Sequence, residues 1–301
     1  MAGAPQATDH VGPHPAESHH ADIHHALREA CLLDADAFFA SSPLRRSRFL
    51  NVCFVMPAQR IRIGTRESIA AQLTDQVASD ARAAIAARGR CSLAIPGGSV
   101  AEVLVPRLAS RDLPWERVHI FWCDERGVPL DDPASNAGTA MRRWAGTPLA
   151  QGARVHVMDG GAADLEAAAR SYERALVEGA GDPPVLDLLV LGIGEDGHVA
   201  SLFPGHPASA EARQWVVPVH DASKAPARRL TLTMPVLLGA RHVILAAFGA
   251  SKADVVRRSL EGPETPSPAA HLVRAAHHLT IMLDDAAARD VSPTPRGAGH
   301  E

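Results

Sequence analysis

Residues 187–204 read DLLVLGIGEDGHVASLFP, an apolar run that breaks into glycines and then presents Asp196, Gly197 and His198 together. From Leu186 to Ile193 almost every side chain is apolar, the pattern of a parallel strand covered by helices on both faces. Gly192, Gly194 and Gly197 permit tight turns with positive φ, so the chain is expected to open out where the strand ends. In open α/β sheets ligands sit in the crevice beyond the carboxyl ends of the strands, which places this carboxylate and imidazole for chemistry. The plainer alternative has Asp196 capping a following helix and His198 as an ordinary loop histidine.

Upstream, the pattern is regular from Arg62: a short strand, then a helix over 66–87 with Ile69, Leu73, Val77, Ala81 and Ile85 on one stripe. A strand at Cys91–Ile95 runs into Pro96-Gly97-Gly98-Ser99 and a further helix. Strand, glycine pair, hydroxyl and helix form a phosphate-binding arrangement, because small residues admit the anion to the free amides of the first helical turn. Two glycines that merely reverse the chain are the structural alternative. The next apolar strand, Val118–Cys123, ends in Asp124-Glu125-Arg126, either a solvated loop or an acid and an arginine placed for a polar substrate. A helix is expected over 136–144, a short strand over 155–158 and a helix over 164–178.

Downstream, 215–220, 229–234 and 242–248 are strand-like, and the last ends at Gly249-Ala250-Ser251-Lys252. Lys224 and Lys252 are the only lysines in the chain, and an ammonium at a strand-to-helix junction suits a phosphate. Arg228 and Arg229 read as strand-edge charges or as a second anion clamp. A Pro-rich connection over 261–269 leads to a final strand over 278–283.

At 301 residues the chain has room for one large α/β domain, expected over 57–290, with an N-terminal extension over 1–56 and a Pro/Gly-rich tail over 291–301, both expected to be largely disordered. The net charge of −4 gives no basic field for nucleic acid or an anionic membrane. Cys31, Cys53, Cys91 and Cys123 lie far apart with no CxxC pair, which argues against a disulfide framework or zinc site and for a reducing cytoplasm. No apolar run approaches the ~20 residues that span a bilayer, and no basic-then-apolar leader is evident. The histidines at 10, 14, 19, 20, 24 and 25 lack a scaffold to fix metal geometry.

Taken in order, PGGS, DERGVP with Ser135-Asn136, LGIGEDGHVASLFP, RRLTLT and GASKA resemble the 6-phosphogluconolactonase family, over about 65–288. The resemblance implies a doubly wound, mainly parallel sheet with helices on both faces, and hydrolysis of 6-phospho-D-glucono-1,5-lactone without cofactor or metal. It also implies a small sugar-phosphate lactone as the partner; a monomer or small homo-oligomer is expected. By the same resemblance His198 is the base, Asp196 orients it or the water, and Gly97, Gly98, Ser99, Arg229 and Lys252 hold the phosphate. Asp124, Arg126 and Asn136 shape the sugar end, with phosphate clamping as an alternative for Arg126. Pro96, Val100 and Ala137 depart from the family pattern, the first two removing hydroxyls from the phosphate loop. The nearest rival, a glucosamine-6-phosphate deaminase, carries Asn-Glu-Pro shortly after its glycine-histidine motif, where this chain has Ser201-Leu202-Phe203-Pro204. A non-catalytic sugar-phosphate binder is the third reading.

Overall fold

The computed structural model describes residues 60–261 and 266–292. The extension expected over 1–56, with its histidines, Cys31 and Cys53, lies outside the described residues, as does the tail beyond 292.

Among the described residues, seven strands form one parallel sheet: β1 (Arg60–Gly64), β2 (Cys91–Ile95), β3 (Val118–Trp122), β5 (Arg154–Val155), β6 (Leu188–Leu191), β9 (Val243–Ala247) and β10 (Leu279–Asp284). Their spatial order is β1-β10-β9-β6-β2-β3-β5. A second, antiparallel sheet has the order β4-β8-β7, from β4 (Asp124–Arg126), β7 (Val216–Val219) and β8 (Arg229–Leu232). Strand alternation divides the interior in two, because successive side chains point to opposite faces. On one face Leu93, Ile95, Ile120, Trp122, Leu188, Val190, Ile244 and Ala246 meet helices α1 (Arg66–Arg88), α2 (Gly98–Ala109), α3 (Asn136–Trp144) and α4 (Pro148–Gly152). On the other, Ala94, Phe121, Leu189, Leu191, Val243, Leu245 and Ala247 meet α5 (Leu165–Ala180), α6 (Met234–Gly239), α7 (Ala253–Glu261), α8 (Pro268–Ala275), α9 (Asp285–Ala288) and the small sheet. This is the doubly wound α/β architecture expected from the sequence.

Local chemistry sets the element ends. The hydroxyl of Thr65 accepts from the Ser68 amide to open α1, and Gly89 closes the helix in the left-handed region at φ 75°. Beyond the end of β5, the Tyr172 hydroxyl substitutes for a strand partner: it accepts from the Trp122 amide at 2.7 Å and donates to the Trp122 carbonyl at 3.2 Å.

Two expectations need correction, and a third gains a detail. Asp124-Glu125-Arg126 is a strand, with Asp124 and Glu125 buried, because β8 pairs antiparallel along it and α3 covers it. The strands expected over 215–220 and 229–234 belong to that second sheet. Of the glycines at 192, 194 and 197, only Gly197 has a positive φ, 88°.

The carboxyl ends that matter are adjacent. From β2 the chain runs through α2 to β3 on one side, whereas from β6 it proceeds to β9 on the other, so the connections diverge between β2 and β6. That divergence opens a crevice at the carboxyl edge of the sheet.

Tyr172→Phe is expected to cost about 1–3 kcal/mol of unfolding free energy in urea, because the Trp122 amide loses its buried acceptor. An unchanged midpoint would show that β3 ends without this support.

Candidate active site

Four neighbouring strands, β9, β6, β2 and β3, each end in one of the segments singled out in the sequence. β2 leads into Gly97-Gly98-Ser99, β6 into 192–198, β9 into Gly249–Lys252, and β3 turns into β4 at Asp124. The sheet therefore brings together residues that lie more than 150 positions apart.

After β6 no helix follows, so Asp196 is not a helix cap. Its Oδ1 accepts from the His198 backbone amide at 3.3 Å and lies 2.6 Å from His198 Nδ1. That contact makes Nδ1 the protonated nitrogen of the neutral ring and leaves Nε2 as the acceptor. Gly194 is required for this turn: a Cβ there would run into the His198 ring and the Asp196 carboxylate. The Gly197 carbonyl accepts from the Ala269 amide at 3.0 Å, which pins the turn to the start of α8.

Burial is the strongest influence on His198 and pushes its pKa below the usual imidazole value, against the opposing pull of Asp196 and Asp124. Burial also presses Asp196 upward. The charge of His198, its two hydrogen bonds and Lys224 outweigh that pressure and leave the carboxyl below its ordinary range. At neutral pH the pair is thus a neutral imidazole beside a carboxylate, the state of a general base.

At the end of β2, Gly98 has φ 62° and nothing within 4 Å of a hypothetical Cβ. The first turn of α2 has no side-chain cap, so its amides remain available to an anion. Ser99 is partly buried, and its hydroxyl has no partner among the described residues. Val100 is buried against Gly192, on the core side, so the hydroxyl missing there is not lost from the crevice. Gly97 has no space for a Cβ because the Asn136 amide lies against it. Lys252 reaches in from the turn after β9, with Nζ 3.9 Å from Glu195 Oε1. Burial lowers its pKa from the usual lysine value. That turn is held by Asp284, which accepts from the Gly249 amide at 3.0 Å.

The sugar-end candidates form a buried network. Asn136 Nδ2 donates to the Asp124 carbonyl at 3.0 Å, and Ser201 Oγ donates to Asp124 Oδ2 at 2.7 Å. Arg229 Nη1 lies 3.8 Å from the same oxygen, and the two side chains are 5% and 9% exposed. Arg229 Nε donates to the Pro226 carbonyl and Nη2 to those of Lys224 and Ala225, at 2.9–3.2 Å. Nη1 also donates to Ser201 Oγ at 3.4 Å, a long contact that leaves this nitrogen the part of the guanidinium with most capacity for a ligand. The guanidinium also lies 5.6 Å from the centre of the Phe203 ring, which packs 4.6 Å from the His198 ring. Arg126 Nη1 donates to the Ala134 carbonyl at 2.7 Å, while its buried Nε has no partner among the described residues. Arg228, by contrast, turns away to the carbonyls of Ala162 and Ala163.

Three residues beyond the sequence candidates take part. Glu125 accepts from the amides of Arg126, Asn136 and Ala137 and from Ser135 Oγ, at 2.7–3.0 Å. It fixes the start of α3 and hence Asn136, although burial raises its pKa. Phe203 backs the His198 ring. Lys224, whose Nζ is 3.6 Å from Asp196 Oδ1, stood out in the sequence only as one of two lysines.

Arg229→Leu is expected to cost about 3–5 kcal/mol in urea unfolding, because Asp124 is left buried without its cation. A loss below about 1 kcal/mol would mean that the pair is solvated.

The chain has relatives of known name. It is 40% identical over 217 residues to the 6-phosphogluconolactonase of Mycobacterium tuberculosis, covering 69% of this chain and 88% of the relative. To that of Rattus norvegicus it is 38% identical over 234 residues, covering 75% and 91%. The solved 6-phosphogluconolactonase of Trypanosoma brucei superposes with a TM-score of 0.69 at 25% identity, over 78% of this chain and all of that one. Residues 64–282 match the family described as glucosamine-6-phosphate isomerases/6-phosphogluconolactonase, and the chain belongs to that family.

Proposed function

We propose that this protein hydrolyses 6-phospho-D-glucono-1,5-lactone to 6-phospho-D-gluconate, the second step of the oxidative pentose phosphate pathway, within a domain spanning 57–290. The observation that carries this reading is the neutral His198, tethered by Asp196, at the switch crevice and next to an uncapped glycine turn. The names of the relatives point to the same reaction.

In this reading the amides at Gly97-Gly98, the Ser99 hydroxyl and Lys252 cradle the phosphate, with Arg229 Nη1 behind them. Asn136, Asp124 and Arg126 define the wall along the sugar. A water between His198 Nε2 and the lactone carbonyl carbon loses a proton to Nε2 as its oxygen bonds to that carbon. The tetrahedral oxyanion then collapses, the bond to the ring oxygen breaks, and His198 returns the proton to that oxygen. Atoms and charge balance with no redox partner, and Asp196 stabilises the transient imidazolium as its ion-pair partner.

The deaminase alternative is less well supported. Ser201, in the turn after His198, donates to Asp124, and no carboxylate occurs over 199–204. We place the reaction in the cytoplasm, with the protein acting as a monomer or small homo-oligomer. Among the described residues Cys91 and Cys123 form no disulfide and are buried, and burial pushes the Cys91 thiol up to about 12. No described helix is long and apolar enough to cross a membrane.

The test couples freshly made lactone to 6-phosphogluconate dehydrogenase and follows NADPH above the spontaneous rate. Wild-type protein should accelerate its appearance, and His198→Ala should lose about 10²-fold or more. Activity should fall with unit slope as acid protonates His198, at a pKa below the ordinary 6.5. Asp196 raises that pKa, so Asp196→Asn should move the acid limb to lower pH and lower the plateau. An acid limb that shifts upward in Asp196→Asn would contradict the assigned pair.

A further inference from the structure

The base lies among negative charge. Asp196 holds His198 at 2.6 Å, and Asp124 is near enough to act on the same ring. An oxyanion formed beside these two carboxylates requires a cation of its own. Arg229 does not supply it, because Asp124, Ser201 and three backbone carbonyls engage its guanidinium and what Nη1 has left is given to the phosphate.

Resting on the lactonase reading, we infer that Lys224 is the catalytic cation that holds the oxyanion of the lactone carbonyl, while Lys252 serves the phosphate. Lys224 Nζ and His198 Nδ1 share one oxygen, Asp196 Oδ1, at 3.6 and 2.6 Å. Lys252 instead faces Glu195 at 3.9 Å. The two lysines thus face adjacent carboxylates of the 195–198 turn, and of the two it is Lys224 that pairs with the carboxylate holding His198. Lys224 is 42% exposed along its side chain, so its ammonium has freedom to move from Asp196 to a ligand.

Its backbone is fixed where its head is not. Arg229 gathers the carbonyls of residues 224, 225 and 226 onto one guanidinium, which is itself held against Asp124 and Phe203. Arg229 is therefore a positioning residue for Lys224.

The charges then exchange partners in one step. At rest Asp196 is shared between neutral His198 and Lys224. When water gives its proton to His198, the imidazolium satisfies Asp196, and the ammonium becomes free to pair with the oxyanion formed at the same moment. Collapse of the intermediate returns the proton to the ring oxygen and restores the Lys224–Asp196 contact. No charge is created without a partner, which is the electrostatic preorganisation that lowers a barrier.

The test compares Lys224→Met, Lys224→Arg and Lys252→Met in the coupled lactone assay, with glucitol 6-phosphate, which has the phosphate and no carbonyl, as competitive inhibitor. Lys224→Met should lower kcat about 10²–10³-fold, the cost of removing an oxyanion donor, while leaving the inhibition constant within about 3-fold. Because Lys224 lowers the His198 pKa, its removal should shift the acid limb upward. Lys224→Arg should restore part of kcat, and Lys252→Met should raise the inhibition constant at least ~10-fold. A Lys224→Met enzyme with normal kcat, or one that loses inhibitor affinity as Lys252→Met does, would overturn the assignment. A wild-type protein that fails to accelerate hydrolysis overturns the lactonase reading itself, and that failure is visible before any variant is compared.

Discussion

Asp124 and Arg229 meet at 3.8 Å with both side chains almost closed to water, and the crevice is organised around that pair. Asp124 sits where β3 leaves the main sheet and turns into the small one, while Arg229 opens the strand paired with it. Two such charges are costly to bury, and the cost is tolerated only because each has further partners. Asp124 is met by Ser201 and Asn136, and Arg229 by three carbonyls and the face of Phe203. Through these contacts one ion pair fixes the turn after His198, the start of α3 and the loop bearing Lys224.

The acid-base chemistry depends on a balance between burial and charge. A histidine beside a carboxylate ordinarily rises in pKa, and a fully charged pair would leave no base at neutral pH. Burial against Phe203 and the rest of the turn tips His198 the other way and keeps the ring neutral, while the 2.6 Å contact to Asp196 fixes which nitrogen faces the crevice. Moving either influence changes the protonation state without moving an atom.

The central strands were legible in the sequence because they are covered on both faces, so that Leu188–Leu191 and Val243–Ala247 appear as unbroken apolar runs. The order of motifs also pointed to one candidate crevice, since a doubly wound sheet collects strand ends along one edge. The small sheet was less legible. Asp124-Glu125-Arg126 has no apolar signal, and its strand character comes from β8, about 100 residues away, and from α3, whose amides satisfy Glu125. Val100 illustrates the same limit: side-chain direction at the start of α2, which sends it against Gly192, is not encoded in the motif. Lys224 was visible only as a rare residue type, because its contact with Asp196 depends on Arg229 folding the intervening loop back.

In the proposed reaction a single sugar phosphate lies across the divergence between β2 and β6, with its phosphate on the Gly97–Ser99 turn and its first carbon at His198 Nε2. The most direct measurement is a crystal structure with bound 6-phosphogluconate. The expected structure has phosphate oxygens on the amides of the glycine turn and on Lys252, and the carboxylate within hydrogen-bond reach of His198 Nε2 and Lys224. A phosphate beside His198, or a ligand outside the crevice, would contradict it.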